Sequence, residues 1–289
     1  MTDVDPIYVA ARRVLLNTLD ILAAHRESLV VIGAQAVYLR TGHADLAVAP
    51  FTTDSDLAID PSLLATAPPI EMLLSNAGFV PHPTEPGIWL APSVDEHDAI
   101  PVDLIVPETL SPADTRRSAP LPGHAKNTLR KARGVEAAIV DHDIITISAL
   151  DPSDRRSLDV KVAGAAALFI AKAHKIGERT RPTIRPGRLH DKDALDLYRL
   201  MTTHRSEAVA KTVTDLLLAD ERSRQVTIEG LQYLDQCFRS PASTGTIMAT
   251  RALEGNVPAA RVAAVMNPYV RALAQLLETI PETADDTRT

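Results

Sequence analysis

Two aspartates separated by one residue, Asp54 and Asp56 in F-T-T-D-S-D-L-A-I-D-P (51–61), stand at the mouth of an apolar run. In an extended chain they point to one face, while Ser55, Leu57 and Ile59 point to the other. Carboxylates that close repel each other unless a cation lies between them or water surrounds them. A divalent metal ion would answer the repulsion, and so would a half-exposed strand; the D-x-D spacing alone does not choose. Asp103 is the single charge in P-V-D-L-I-V-P (101–107), where a carboxylate needs either a cation or a salt bridge. Lys172 follows the most apolar stretch of the chain, and Arg179, seven residues on, falls on nearly the same helix face. Lys172 could reach into a site or snorkel at the edge of the core. In K-D-A-L-D-L-Y-R-L (192–200), Asp193 could orient Lys172 in a charge pair, and Asp196 could be an exposed acid near a helix start. The strand–glycine–helix pattern V-V-I-G-A-Q-A-V (30–37) would offer the backbone N–H groups of Gly33 and Ala34 to a phosphate, or form a tight turn and nothing more.

These residues need elements to hold them. Helical spacing over 6–26, opened by Asp5-Pro6 in cap and first-turn positions, predicts a first helix. Strand 28–32 runs into Gly33, a helix covers 34–40, and the strand with Asp54 and Asp56 follows a polar loop. A helix near 68–77 and strands at 87–91 and 99–107 come next. Residues 135–150 read as a strand pair turning at Asp141-His142-Asp143, and 157–162 as a further strand. From Ala163 the pattern becomes helical, with segments near 163–178, 190–202, 207–219, 222–238, 245–253 and 258–280 and a frayed tail. The expected class is α+β: a mixed-sheet α/β domain over 1–162 and a helical domain over 163–289.

The bulk composition narrows the function classes. The 289 residues are 45% hydrophobic and 23% charged, as in an ordinary globular protein. The opening M-T-D-V-D-P lacks the basic and apolar regions expected of a signal peptide, the longest apolar run is too short to span a bilayer, and Cys237 is the only cysteine. Disulfides and thiolate zinc sites are thereby excluded, and a cytoplasmic location with no membrane partner is expected. A net charge of −7 argues against coating nucleic acid over the whole surface. Basic residues are nonetheless clustered. Residues 116–133 hold six Lys/Arg and no acid, and the loop 179–188 holds four more. Arg130, Lys131, Arg133, Arg185 and Arg188 are the candidates for a polyanion-binding face, against solvated loops as the alternative. Aromatic residues make up only 3%, which favours recognition of phosphates and shape over base stacking.

The ordered set I-G-A-Q-A, T-x-D-S-D-L, V-D-L-I-V, A-K-A-H-K-I-G-E-R and K-D-A-L-D-L-Y-R-L resembles the polymerase-β-like nucleotidyltransferase superfamily. It is most similar to the AbiEii branch, which includes the MenT toxins of toxin–antitoxin operons, and the motifs span roughly residues 25–200. The resemblance implies Mg²⁺ (or Mn²⁺) at Asp54, Asp56 and Asp103, and an NTP substrate held by Gly33, Ala34, Thr52, Lys172 and Arg179. It implies active-site roles for Lys172, on the nucleotide phosphates, and for Asp193. Thr52 matches a position at which MenT-like toxins undergo antitoxin-directed phosphorylation. One departure is Ala34, where many members carry Gly or Ser; it leaves the backbone donors intact and supplies no hydroxyl.

Nucleotidyl transfer sets a hydroxyl against an α-phosphorus while pyrophosphate leaves, and two metal ions about 3.5–4 Å apart can stabilise both ends. Hard, oxygen-liking ions want carboxylates. The expectation is a metal-dependent nucleotidyltransferase toxin acting on RNA, at the acceptor end of tRNA, with a cognate antitoxin as partner. Transfer to a small-molecule or protein hydroxyl, and a degenerate protein that binds nucleotide or antitoxin without turnover, are the alternatives.

Overall fold

The computed structural model of the chain describes residues 4–42, 49–93, 99–113, 117–180, 191–219 and 221–279. Its first helix, α1 (Pro6–Ile21), starts where the sequence announces it. Asp5 Oδ1 accepts from the backbone N–H of Ile7 at 2.8 Å and of Tyr8 at 3.4 Å, and Pro6 occupies the first turn. The helix ends earlier than its periodicity suggests. From Ala23 to Ser28 the chain tightens into a 3₁₀ turn before entering β1 (Leu29–Ile32). Helix α2 (Gly33–Thr41) follows β1 directly, and β2 (Ser55–Ile59) begins one residue after Asp54.

The rest of the sheet is assembled around β2. After α3 (Ile70–Asn76) come β3 (Val80–Pro81), β4 (Ile88–Leu90) and β5 (Pro101–Pro107); β6 (Arg130–Ala132), β7 (His142–Ser148) and β8 (Ser157–Ala163) complete it. The open eight-stranded sheet has the order β3-β4-β5-β2-β1-β8-β7, with β6 pairing to the far end of β5. It is mixed: β2 runs antiparallel to β1 and parallel to β5, and β1 runs parallel to β8. Leu57, Ile59, Leu104, Val106 and Val31 are buried in the centre, where α1 lays Leu15, Leu16 and Leu19 against them. Such strands carry apolar residues on both faces. A carboxylate among them is therefore conspicuous.

Two short strands carry no signal in the sequence. β3 has two residues and β6 is Arg-Lys-Ala, too short and too polar for alternation to reveal. The expected strand pair over 135–150 is corrected. Residues Glu136–Val140 form a helical turn, α4, and only His142–Ser148 is extended, pairing antiparallel with β8. Glu136 accounts for the difference. Its carboxylate accepts from the backbone N–H of Gly134 at 2.7 Å and of Thr109 at 3.2 Å, which anchors the turn, and Ala137 and Ala138 favour helix.

Beyond β8 the chain is helical: α5 (Ala165–Arg179), α6 (Asp191–Thr203), α7 (Ser206–Ala219), α8 (Glu221–Phe238), α9 (Thr244–Ala252) and α10 (Ala259–Thr279). The architecture is thus α+β, a mixed open sheet followed by helices, as expected of a nucleotidyltransferase-like fold. Helix α5 is fixed by the apolar run that the sequence displays. Leu168, Phe169, Ile170 and Ile176 are buried, and Phe169 stacks on Tyr269 of α10 with ring centroids 5.4 Å apart. Among the described residues, no helix is long and apolar enough to cross a membrane.

Candidate active site

Strand β2 positions the two acids by alternation. Ser55 and Leu57 turn inward and are fully buried, whereas Asp54 and Asp56 turn the other way and are half-buried. The inward face is fixed by a buried amide. Gln35, on α2, lies within bonding reach of three acceptors through Nε2: Ala11 O and Ser55 Oγ at 3.0 Å, and Asp54 O at 3.4 Å. Its Oε1 accepts from Arg12 Nε at 2.8 Å. Gln35 and Arg12 thereby hold the entry of β2, and with it the backbone that presents Asp54. Sequence reasoning passed over both, because a buried Gln or Arg gives no periodic signal.

The outward face opens on a cleft of about 230 Å³. Its walls combine three acids (Asp54, Asp56 and Asp193) with three lysines (Lys172, Lys175 and Lys192), and Ala34 and Thr53 complete the lining. Gly33, at the start of α2, has a left-handed φ of +70°. A Cβ there would lie 1.9 Å from Asp56 Oδ2, so only glycine allows the backbone to approach the carboxylate.

Asp56 sits in the most acidic part of the cleft. It pairs in register with Asp103 on β5. Burial, and then the charges of Asp54 and Asp103, push its carboxyl up to about 7, against the pull of Lys175 and Lys172. Asp103 is treated differently. Arg130 reaches across from β6, its Nε donating to Asp103 Oδ1 at 2.6 Å and its terminal nitrogen to Oδ2. Burial disfavours the guanidinium charge, but Asp103 outweighs it, so the Arg130 pKa is raised. The acid that the sequence offered as a third metal ligand is engaged by an arginine that the sequence offered to RNA.

The opposite wall is an ion cluster between α5 and α6. Lys172 is nearly buried, and its Nζ donates to Asp193 Oδ1 at 2.9 Å and Asp196 Oδ2 at 2.6 Å. Burial alone would strip its charge; the two carboxylates hold the ammonium pKa well above its ordinary value. Asp193 also meets Lys175 Nζ at 3.0 Å and Arg179 at 3.3 Å. Burial opposes ionisation of Asp193, yet Lys172 and Lys175 prevail and its pKa lies well below the usual carboxylate range. Asp196 is fully buried, not an exposed acid near the helix start.

Between the walls stands Thr52, itself buried. Its hydroxyl donates to Asp54 Oδ1 at 2.6 Å and accepts from Lys192 Nζ at 3.1 Å. Lys192 is a cleft residue that the sequence analysis did not single out, although it stands immediately before Asp193.

Asp54, Asp56, Thr52, Ala34, Lys172 and Asp193 thus come together, with Gly33 against Asp56, Arg179 on the rim through Asp193, and Asp103 alongside but paired. Of the proposed RNA contacts, Arg130, Lys131 and Arg133 have different partners within the fold, Arg130 being held by Asp103. Arg133 is bonded to Glu229 on α8 at 2.6 and 2.7 Å, and Lys131 Nζ lies 3.4 Å from Pro112 O. Arg185 and Arg188 lie outside the described residues.

Among the described residues, no group of three or more His, Cys, Asp or Glu side chains could by itself hold a metal ion. Asp54 and Asp56 remain a chemically suitable pair. They are hard oxygen donors on one face, and burial, then the charges of Asp54 and Asp103, raise the pKa of Asp56, so that an arriving cation would favour its ionised form. Asp103 could join them only if Arg130 released it.

No protein-family model matches the chain, and no curated protein matches it. Among solved structures, the solution structure of the antibiotic-resistance factor ANT(2'')-Ia is similar at 14% identity, the match covering 79% of this chain and 98% of that one with a TM-score of 0.35. A likeness that slight carries no argument about function.

Proposed function

We propose that this chain is a metal-dependent nucleotidyltransferase that moves a nucleotide from an NTP to an RNA hydroxyl, with the tRNA acceptor end as the acceptor and toxicity as the outcome. The observation that carries the reading is the pair Asp54 and Asp56, set on one strand face in a cleft walled by lysines, with Asp56 pushed up to about 7. The acceptor and the toxin role, with its cognate antitoxin, rest on the sequence resemblance alone. In this reading residues 1–162 carry the carboxylates, and 163–289 bring Lys172 and Asp193 to face them.

Asp54 and Asp56 are the residues that would hold Mg²⁺ or Mn²⁺. When bound, such ions polarise the α-phosphate and stabilise the charge on the attacking and leaving oxygens. Asp56 gives up its proton on taking a cation, so cation affinity rises with pH through about 7. Thr52 orients Asp54 through its 2.6 Å bond, and Gly33 keeps the space above Asp56 free of any side chain. The lysines of the opposite wall supply positive charge where a polyphosphate would lie.

Incubation with each labelled NTP, Mg²⁺ and total tRNA tests the reading: label should pass to the RNA and require the metal. Absence of transfer to any acceptor would sink it. A second reading, transfer to a small-molecule or protein hydroxyl, is favoured by the ion pairs of Arg130 and Arg133, which engage two cations of the basic stretch internally. Salt decides between the two. RNA transfer should fall steeply as counterion release is suppressed, whereas transfer to an uncharged acceptor should not.

A further inference from the structure

The cations around this cleft are not equivalent. Lys172 is locked between Asp193 and Asp196, and Lys175 and Arg179 both reach Asp193. Lys192 stands apart. Its Nζ donates to the Thr52 hydroxyl at 3.1 Å, and among the described residues it meets no carboxylate at ion-pair distance. Its ammonium also lies 5.9 Å from the centroid of the Phe51 ring. Burial works against its charge and lowers its pKa, even though Asp54 and Asp196 pull the other way. An ammonium has three donors. One neutral oxygen and a ring leave it poorly compensated, and an arriving anion would relieve that directly.

The geometry points to Lys192, together with the more exposed Lys175, as the group that grips the polyphosphate of the incoming nucleoside triphosphate, with Lys172 as a framing residue that does not touch it. This rests on the nucleotide-transfer reading of the cleft and deepens it. A compact ammonium on a flexible stem suits phosphate oxygens, which demand charge more than a fixed fork. Lys192 can swing from Thr52 to a phosphate without breaking an ion pair, and Thr52 keeps its bond to Asp54 meanwhile. Lys172 would have to abandon two carboxylates; Asp193 would keep Lys175 and Arg179, but the fully buried Asp196 would lose its bond to the ammonium.

The test is calorimetric binding of inorganic tripolyphosphate, with Mg²⁺ present, to the full chain and to Lys192→Met, Lys192→Arg and Lys211→Met. Lys211 is an exposed lysine on α7 and serves as the comparator. Lys192→Met should bind about tenfold or more weakly, the scale of one charge-assisted contact. Lys192→Arg should recover most of the loss, and Lys211→Met should bind like wild type. Melting temperatures taken in parallel establish that each variant is folded, and Lys192→Gln replaces the Met variant if that one is not. Wild-type affinity in Lys192→Met would overturn this inference and leave the nucleotide-transfer reading standing. A wild-type protein that bound neither tripolyphosphate nor any NTP would overturn both.

Discussion

Asp56 and Asp103 are neighbours across two parallel strands, paired in register and facing the same side of the sheet. Arg130 closes on Asp103 with two bonds; among the described residues no such partner closes on Asp56, whose pKa is raised by burial and then by the charges of Asp54 and Asp103. The difference lies in what borders each strand. β5 has β6 alongside its far end, and β6 carries Arg130 to Asp103. β2 lies between β1 and β5, with the Gly33 backbone above Asp56, and among the described residues no cationic side chain meets Asp56 at ion-pair distance. A carboxylate that the fold neutralises serves stability. One that the fold surrounds with further acids is kept ready for something that arrives from solution.

The sharpest way to break this contrast is Asp56→Asn, which keeps the shape and removes the charge. Transfer should fall by about a thousandfold or more, the scale of losing a principal group that stabilises transition-state charge. The folded protein should persist in a thermal melt; turnover near wild type would remove the distinction between the two acids. The same variant exposes the linkage in chelator-treated protein. The folded pKa of Asp56 is raised from 3.8 to about 7, so its contribution is fully present below about 4 and is lost as pH rises through about 7. Wild type should therefore lose about 2–4 kcal/mol relative to Asp56→Asn across that window, read from urea midpoints at successive pH values.

Arg130→Met attacks the other member of the comparison. It leaves Asp103 half-buried beside Asp56 without its counter-ion and should cost about 2 kcal/mol, with Arg130→Met/Asp103→Asn regaining most of it. In the single variant Mn²⁺ binding, followed by electron paramagnetic resonance, should tighten, because a third carboxylate is released. Unchanged Mn²⁺ affinity would mean that Asp103 is structural whether paired or not. The smallest effect is expected at Glu229→Gln, which loosens the tie of Arg133 to α8. Both partners are about a quarter exposed, so the cost should be about 0.5–1 kcal/mol in a denaturant titration, with nucleotide binding unchanged.

Alternation and period made much of this legible in advance. The D-S-D spacing places two acids on one face of any strand, and the apolar run before Lys172 already describes α5. Asp5-Pro6 marks the first helix for the same local reason. What escaped depends on partners distant in the chain. Arg130 meets Asp103 only because β6 adds to the end of β5, a three-residue pairing with no pattern of its own. Lys192 reads as one charge in a charged helix start until Thr52 is seen beside it. Val135–Val140 reads as a strand until Glu136 finds the N–H groups that hold it helical.

The contact between Gly33 and Asp56 bears on how this chain can change by descent. A side chain at position 33 would strike the carboxylate, so no single replacement there is compatible with Asp56. The reverse step is open, since Asp56 can shorten while Gly33 stays. Once it has, a residue such as Asn or Ala could settle at 33, at a backbone cost of about 1–2 kcal/mol for its left-handed conformation. From then on the acid could not return until glycine did. The loss of Asp56 alone is reversed by one mutation, but once position 33 has also changed the return requires two in a fixed order, glycine first, so a lineage that loses Asp56 and drifts at 33 is ratcheted away from regaining it.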